Sequence, residues 1–224
     1  MYIFPVHLLA PRRVARYLER QVLTGGTALS GDEDVIETDG GGRWVVQYEG
    51  INLVDARQAR VWEAWNEYLS GGLNSCLVPA LSFATGPRPS TRLNAPKTPS
   101  DLYYDDPEWP TVMRYAARDH EAQFAVSAAL RDTVVGLTVT RGPEISSGQI
   151  FSYSDGRMHR VIRPLGGGQF KVLPPLREAA APAESVSFDF PLMRAKMAPN
   201  ESFAVGLERG RNAEVSIKFV ESLA

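Results

Sequence analysis

Apolar and polar residues alternate with period two in several short stretches of this chain, and with a helical period in only one. After Gly42 the run to Leu53 places Trp44, Val46 and Tyr48 on one side and Val45, Gln47 and Glu49 on the other, which predicts a strand. Tyr2–Leu9 predicts an opening strand, and Leu23–Ser30 a turn leading into another. Further on, Ala122–Asp132 and Thr133–Arg141 read as two strands, with Val135, Leu137 and Val139 on the inward side of the second. Ile150–Tyr153 and Met158–Ile162 predict a hairpin around Asp155-Gly156, a dipeptide suited to a type I′ turn. Gln169–Leu173 stops at Pro174-Pro175, and Val186, Phe188 and Phe190 alternate again. Ser202–Leu207 and Ala213–Val220 predict a closing pair with Gly210 in its turn.

The one helical pattern is Asp55–Leu69. Asp55 is a good N-cap, and Gln58 stands where a capping box places its second member. Trp62, Trp65 and Leu69, flanked by Val61 and Tyr68, share one apolar face, which predicts a helix pinned to a sheet. Ser70-Gly71-Gly72 supplies the stop, with glycine suited to a left-handed residue. Between Thr85 and Thr111 the periodicity vanishes. Repeated prolines interrupt a polar run that carries Tyr103, Tyr104 and Trp109, which predicts an extended arm lying on a neighbouring subunit. The pattern as a whole predicts a mainly β chain in two parts. Residues 1–112 with 199–224 form a sandwich bearing the helix and the arm 85–111, because a final strand can return to an N-terminal sheet. Residues 113–198 form a second, small β-barrel or sandwich.

Composition adds little to this picture. Of 224 residues, 19 are Gly and 16 Pro, which favours turns and short strands over long helices. The net charge of −2 argues against a broad basic surface for nucleic acid. Cys76 is the only cysteine, so no internal disulfide forms, and its apolar surroundings predict a buried thiol. The start of the chain is apolar but broken by prolines, with its arginines after the apolar run; it predicts neither a signal peptide nor a membrane span, and a chain made in the cytoplasm.

Candidate chemistry is sparse. His7, His120 and His159 lie far apart, and Asp119-His120-Glu121 is poor as a ligand set because adjacent residues point in different directions. Asp105-Asp106 beside Pro107 reads as a turn-forming pair. The glycine runs Gly40–Gly42 and Gly166–Gly168 lack the Lys-Ser or Lys-Thr of a phosphate loop and read as hairpin tips. No serine sits in a G-x-S-x-G elbow. The expectation is a chain with no catalytic residues, no cofactor and no metal. One charge cluster stands out: Asp32, Glu33, Asp34, Glu37 and Asp39 put five carboxylates within eight residues. One reading is a solvated hairpin. The sharper reading is an acidic loop lining a channel, where like charge keeps passing DNA from adhering to the wall.

Several short motifs, in order along the chain, resemble tail proteins of long-tailed bacteriophages. The first half contributes Thr24-Gly25-Gly26-Thr27-Ala28-Leu29-Ser30-Gly31, Gly42-Arg43-Trp44, Glu49-Gly50-Ile51 and a helix with Ala64-Trp65. The second half contributes Phe151-Ser152, Arg160-Val161, Pro174-Pro175-Leu176-Arg177, Met193-Arg194 and Phe219-Val220-Glu221. Within that group the chain looks most like the distal tail proteins of siphophage-type phages and related gene-transfer-agent-like tails. The arm 85–111 matches nothing in that pattern.

The resemblance implies a tail-tube-like β-sandwich with one helix, forming a six-membered ring at the end of the tail tube, and an outward-facing second β domain. It implies a virion structural protein of the baseplate, with the tail tube, hub and tape measure proteins as partners and DNA passing only transiently. Other readings remain: a tube or terminator ring protein, or a host-carbohydrate-binding module that uses Tyr103, Tyr104 and Trp109. A wall hydrolase would need a paired acid or metal triad, and the sequence offers neither.

Overall fold

The chain is mainly β: among the described residues 50% lie in strands and there is one α-helix. The computed structural model describes residues 1–20, 22–27, 29, 31, 33–37, 40–80, 120–199 and 213–223.

The first sheet is knit from both ends of the chain. Its strands β1 (Arg13–Glu19), β4 (Arg43–Leu53), β5 (Ser75–Pro79), β12 (Leu192–Met197) and β13 (Ala213–Glu221) lie in the order β1-β4-β13-β12-β5, with every neighbouring pair antiparallel. β12 belongs to the sequence segment 113–198, yet it is hydrogen-bonded between β13 and β5. The expected alternation of β4 holds: Trp44, Val46 and Tyr48 are buried in one core with Met193, Ala195, Ile217 and Phe219. Helix α1 (Ala56–Leu69) packs on this core through fully buried Trp62 and Leu69, with Val61, Trp65 and Tyr68 partly buried beside them. Phe4 joins the layers, its ring 5.4 Å from Trp65 and 5.2 Å from Phe219.

Local signals set the ends of α1. The Asp55 carboxylate accepts from the Gln58 N–H at 2.7 Å, and Gln58 Oε1 accepts in return from Val54 N–H at 2.7 Å. At the other end Ser70 itself takes the left-handed conformation, φ 45°, ahead of the glycines.

Tyr2–Leu9 is not the expected strand. Only Ile3 bridges, in parallel to Leu77, before the N–H groups of Leu8 and Leu9 turn back onto the Pro5 carbonyl. Pro5 has no N–H for a ladder, and the turn after it buries Val6 and Leu9.

The second body is a six-stranded sheet curled nearly into a barrel. It contains β6 (Glu121–Phe124), β7 (Val134–Arg141), β8 (Ile150–Tyr153), β9 (Arg157–Gly166), β10 (Gln169–Leu173) and β11 (Ser185–Val186), in the order β11-β6-β7-β10-β9-β8. Just past β11, Ser187 and Ser152 of β8 exchange backbone hydrogen bonds of 3.0 and 2.8 Å, which brings the two edges together. Phe124, Val135, Leu137, Phe151, Tyr153, Val161, Val172, Val186 and Phe188 fill the interior. The expected strand 122–132 is cut to β6, and the residues after it form turns. The β8–β9 hairpin has a three-residue loop, since Tyr153 pairs with Arg157 and both Ser154 (φ 48°) and Gly156 (φ 87°) are left-handed. A two-residue type I′ turn was expected there. Gly166–Gly168 does cap the β9–β10 hairpin.

A third element stands apart. Among the described residues, strands β2 (Val22–Thr27) and β3 (Glu33–Glu37) pair only with each other, as an antiparallel ribbon that lies between β1 and β4 in sequence. Its six-residue strand spans about 20 Å at 3.3 Å per residue. Gly40–Gly42 is the link from this ribbon into β4, and not a hairpin tip as the sequence suggested. The proposed partner strand 202–207 for β13 and the arm 85–111 lie outside the described residues.

Candidate functional site: the seam between sheet and barrel

Glu221 lies at an inward position of β13, two residues beyond Phe219, and is only 5% exposed. A carboxylate so placed needs partners, and two converge on it. Its Oε2 accepts from the Trp44 backbone N–H at 3.0 Å, and Arg177 Nε approaches Oε1 at 3.5 Å as an ion pair. Burial lifts the Glu221 carboxyl above the usual carboxylate range, outweighing the Trp44 N–H and the cations Arg177 and Arg157, which pull it down.

Arg177 leaves the barrel just after Pro174-Pro175 and reaches into the ribbon's exit. Its Nη1 donates to Gly40 O at 3.3 Å, and Nη2 donates to Gly42 O. The three glycines have φ of 67°, 109° and 84°, and a Cβ on Gly41 would stand 2.3 Å from Pro175 Cδ. Trp44 enters the seam from the other side. Its indole Nε1–H donates to Met158 O at 2.8 Å, and the Arg160 guanidinium lies 4.9 Å from its ring centroid. Arg157 closes the seam's end, donating to Ser222 O at 3.1 Å and pairing with Glu178 at 3.4 Å. Gly156 packs so closely on Arg194 that a Cβ would meet the Arg194 backbone nitrogen at 2.8 Å.

His159 sits behind these groups with no exposed surface. Its Nδ1–H donates to Pro174 O at 2.9 Å, and its ring stacks on Tyr153 at 5.5 Å. Burial pushes its pKa down to about 4, and nearby Arg177 and Arg157 act in the same direction. The imidazole is therefore neutral in the folded chain where an unfolded one would take a proton. Stability rises with pH from about 4 to 6.5, and is lost as pH falls through that window. The loss should reach about 3 kcal/mol at 1.36 kcal/mol per unit. Urea denaturation across this range should show that slope in the difference between wild type and His159→Phe, where the contributions of His7, His120 and Glu221 cancel.

Other predicted groups are placed as follows. Glu33, Asp34 and Glu37 fall on β3 of the ribbon, while Asp32 and Asp39 lie outside the described residues, as do Tyr103, Tyr104 and Trp109. Cys76 is buried in the first core, its thiol pushed up to about 12 by burial. His120 is buried, its backbone N–H bonded to Asp189 at 3.1 Å and its Nε2–H to Pro143 O at 3.0 Å. Among the described residues no group of three or more His, Cys, Asp and Glu could hold a metal ion. Among them, too, no helix is long and apolar enough to cross a membrane.

The seam residues were not singled out as a site from the sequence. The available signal was Glu221 itself, an acid continuing the inward series Val215, Ile217, Phe219. Their side chains bind one another and the backbone, so the arrangement fastens two bodies together. No protein-family model matches the chain, and no curated protein is significantly similar to it in sequence.

Proposed function

We propose that this chain is a structural component of a phage tail, a distal tail protein that assembles into a closed ring between tail tube and tail tip. The observation that carries this reading is where the resemblance motifs meet. Gly42-Arg43-Trp44, Arg160-Val161, Pro174-Pro175-Leu176-Arg177, Met193-Arg194 and Phe219-Val220-Glu221 are scattered over 180 positions of sequence. They supply Gly42, Trp44, Arg160, Arg177, Arg194 and Glu221 to one seam. Motifs that share one structural job support the resemblance better than isolated matches would.

On this reading the helix-backed sheet is the ring-forming body and the barrel is the outward module. The protein works without catalysis or cofactor, through repeated subunit faces that close with cyclic symmetry around a channel. Tail tube, hub and tape measure proteins are its neighbours, and the finished virion is its place. The test is the mass of the purified chain in solution over a range of concentrations. The expected species is a closed multiple of the 24.6 kDa subunit, a hexamer by the resemblance. A chain that bound glycans on an array and never self-associated would favour the carbohydrate-binding reading instead.

A further inference from the structure

We propose that the outer face of the barrel strands β7, β10 and β9 is a docking surface for the β2–β3 ribbon of a second copy of this chain. Val135, Phe170 and Val172 point into the barrel, so Val134 and Lys171 beside them point outward. Val134 pairs with Lys171, and Lys171 with Arg163 of β9, which makes one row across the face. In the next row Gly136 pairs with Gln169, and Val126 lies over that glycine, where a Cβ would stand 3.3 Å from Val126 Cγ2. Val126 is 60% exposed and Val134 42%, with Ile162 and Leu165 of β9 exposed near them in sequence to Arg163. Arg163 and Lys171 are exposed too, and neither enters an ion pair among the described residues. Like charges directly opposite each other in a sheet repel. A partner both acidic and apolar would relieve that repulsion and cover the valines.

The ribbon has that chemistry. β3 carries Glu33, Asp34 and Glu37 within its five residues, and β2 opens with Val22 and Leu23. Neighbouring residues of a strand point to opposite faces, yet Val22 is 53% and Leu23 64% exposed, so neither face of the ribbon is covered there. A two-stranded ribbon alone in water is marginal, and a sheet beneath it would supply the missing layer. The lengths agree, since the ribbon's strand of about 20 Å lies within β9, which spans about 33 Å at 3.3 Å per residue. Ribbon and barrel face stand open together in the single chain, so the ribbon is not seated on its own barrel. The occupant is another copy. Because the two surfaces differ, the contact is head-to-tail and closes into a ring when its rotation allows. As the ring contact it rests on the tail-component reading, and the carboxylates of β3 then face a neighbour in place of a channel.

Charge reversal on the full chain tests the contact. One variant carries Arg163→Glu with Lys171→Glu on the barrel, the other Glu33→Lys with Glu37→Lys on the ribbon, and circular dichroism should be unchanged in both. Sedimentation velocity over a concentration series should show the wild type associating and each variant weakened by about tenfold or more. A one-to-one mixture of the two variants should associate again, since each then meets its opposite charge on the other. A short bismaleimide should join Leu23→Cys of one copy to Val126→Cys of another, while native Cys76 is fully buried. Association untouched by either reversal, or a mixture that stays dissociated, overturns the contact. So does a wild type that neither associates nor crosslinks. Self-association that persists while Arg163→Glu with Lys171→Glu loses binding to a DNA oligonucleotide assigns the face to nucleic acid and overturns it too. The tail reading fails separately. Rings that survive both reversals refute the contact alone, and charge-dependent, crosslinked open chains refute only the ring.

Discussion

Trp44→Ala should destabilise the folded chain by about 3–5 kcal/mol, the range for removing a large aromatic side chain from a core. The indole is 1% exposed and serves both bodies at once. It fills the sheet's core beside Val46 and Tyr48, donates to Met158 O in the barrel, and carries the Arg160 guanidinium on its face. Alanine would leave a cavity, an unpaired carbonyl and an unsupported cation together. Trp44→Phe separates these losses. It keeps most of the volume but leaves Met158 O without its donor, at a cost of about 1–3 kcal/mol. Urea titration at neutral pH reads both values. A cost for alanine no greater than that for phenylalanine would mean that the seam does not depend on the packing described.

Glu221→Ala should be comparably damaging, about 3–5 kcal/mol, because it strips the partner from a buried cation. The Arg177 side chain is only 12% exposed and would keep the two glycine carbonyls but no countercharge. The Trp44 N–H would also lose its acceptor. Glu221→Gln should cost less, since an amide oxygen still accepts from Trp44. The pH dependence distinguishes the two forms of the site. The folded carboxyl has its pKa raised by burial, so it retains a proton that the unfolded chain has released. Wild-type stability from this group is therefore greatest below the ordinary carboxylate value and falls as pH rises through the raised one. The difference between wild type and Glu221→Gln should show that falling slope. His159 contributes with the opposite sign and cancels in the comparison. A difference that rises with pH would mean that Arg177 dominates over burial and that the carboxyl is depressed.

The secondary structure was largely readable because the elements obey simple periods. Trp44, Val46 and Tyr48 announced β4, and Asp55 with Gln58 announced the start of α1. Errors arose where a side chain answers to distant partners. Pro5 broke an apolar run that alternation alone made a strand. Ser154 joined Gly156 in the left-handed region because the β8–β9 loop must pass close to Arg194 and Leu77. Gly40–Gly42 read as a tip, since nothing local shows that Pro175 and Arg177, more than a hundred residues later, press on it. The seam was hidden for the same reason. Arg177 and Arg157 look like ordinary surface charges along the chain, Glu221 alone stands in an inward series, and only the tertiary fold brings the three together.

The reading of the chain as a ring-forming tail component is tested most directly by negative-stain imaging of the purified protein. Closed rings of uniform subunit number around a central hole are the predicted result. Particles that remain single, two-lobed subunits at every concentration and also in the presence of the tail tube protein would contradict it.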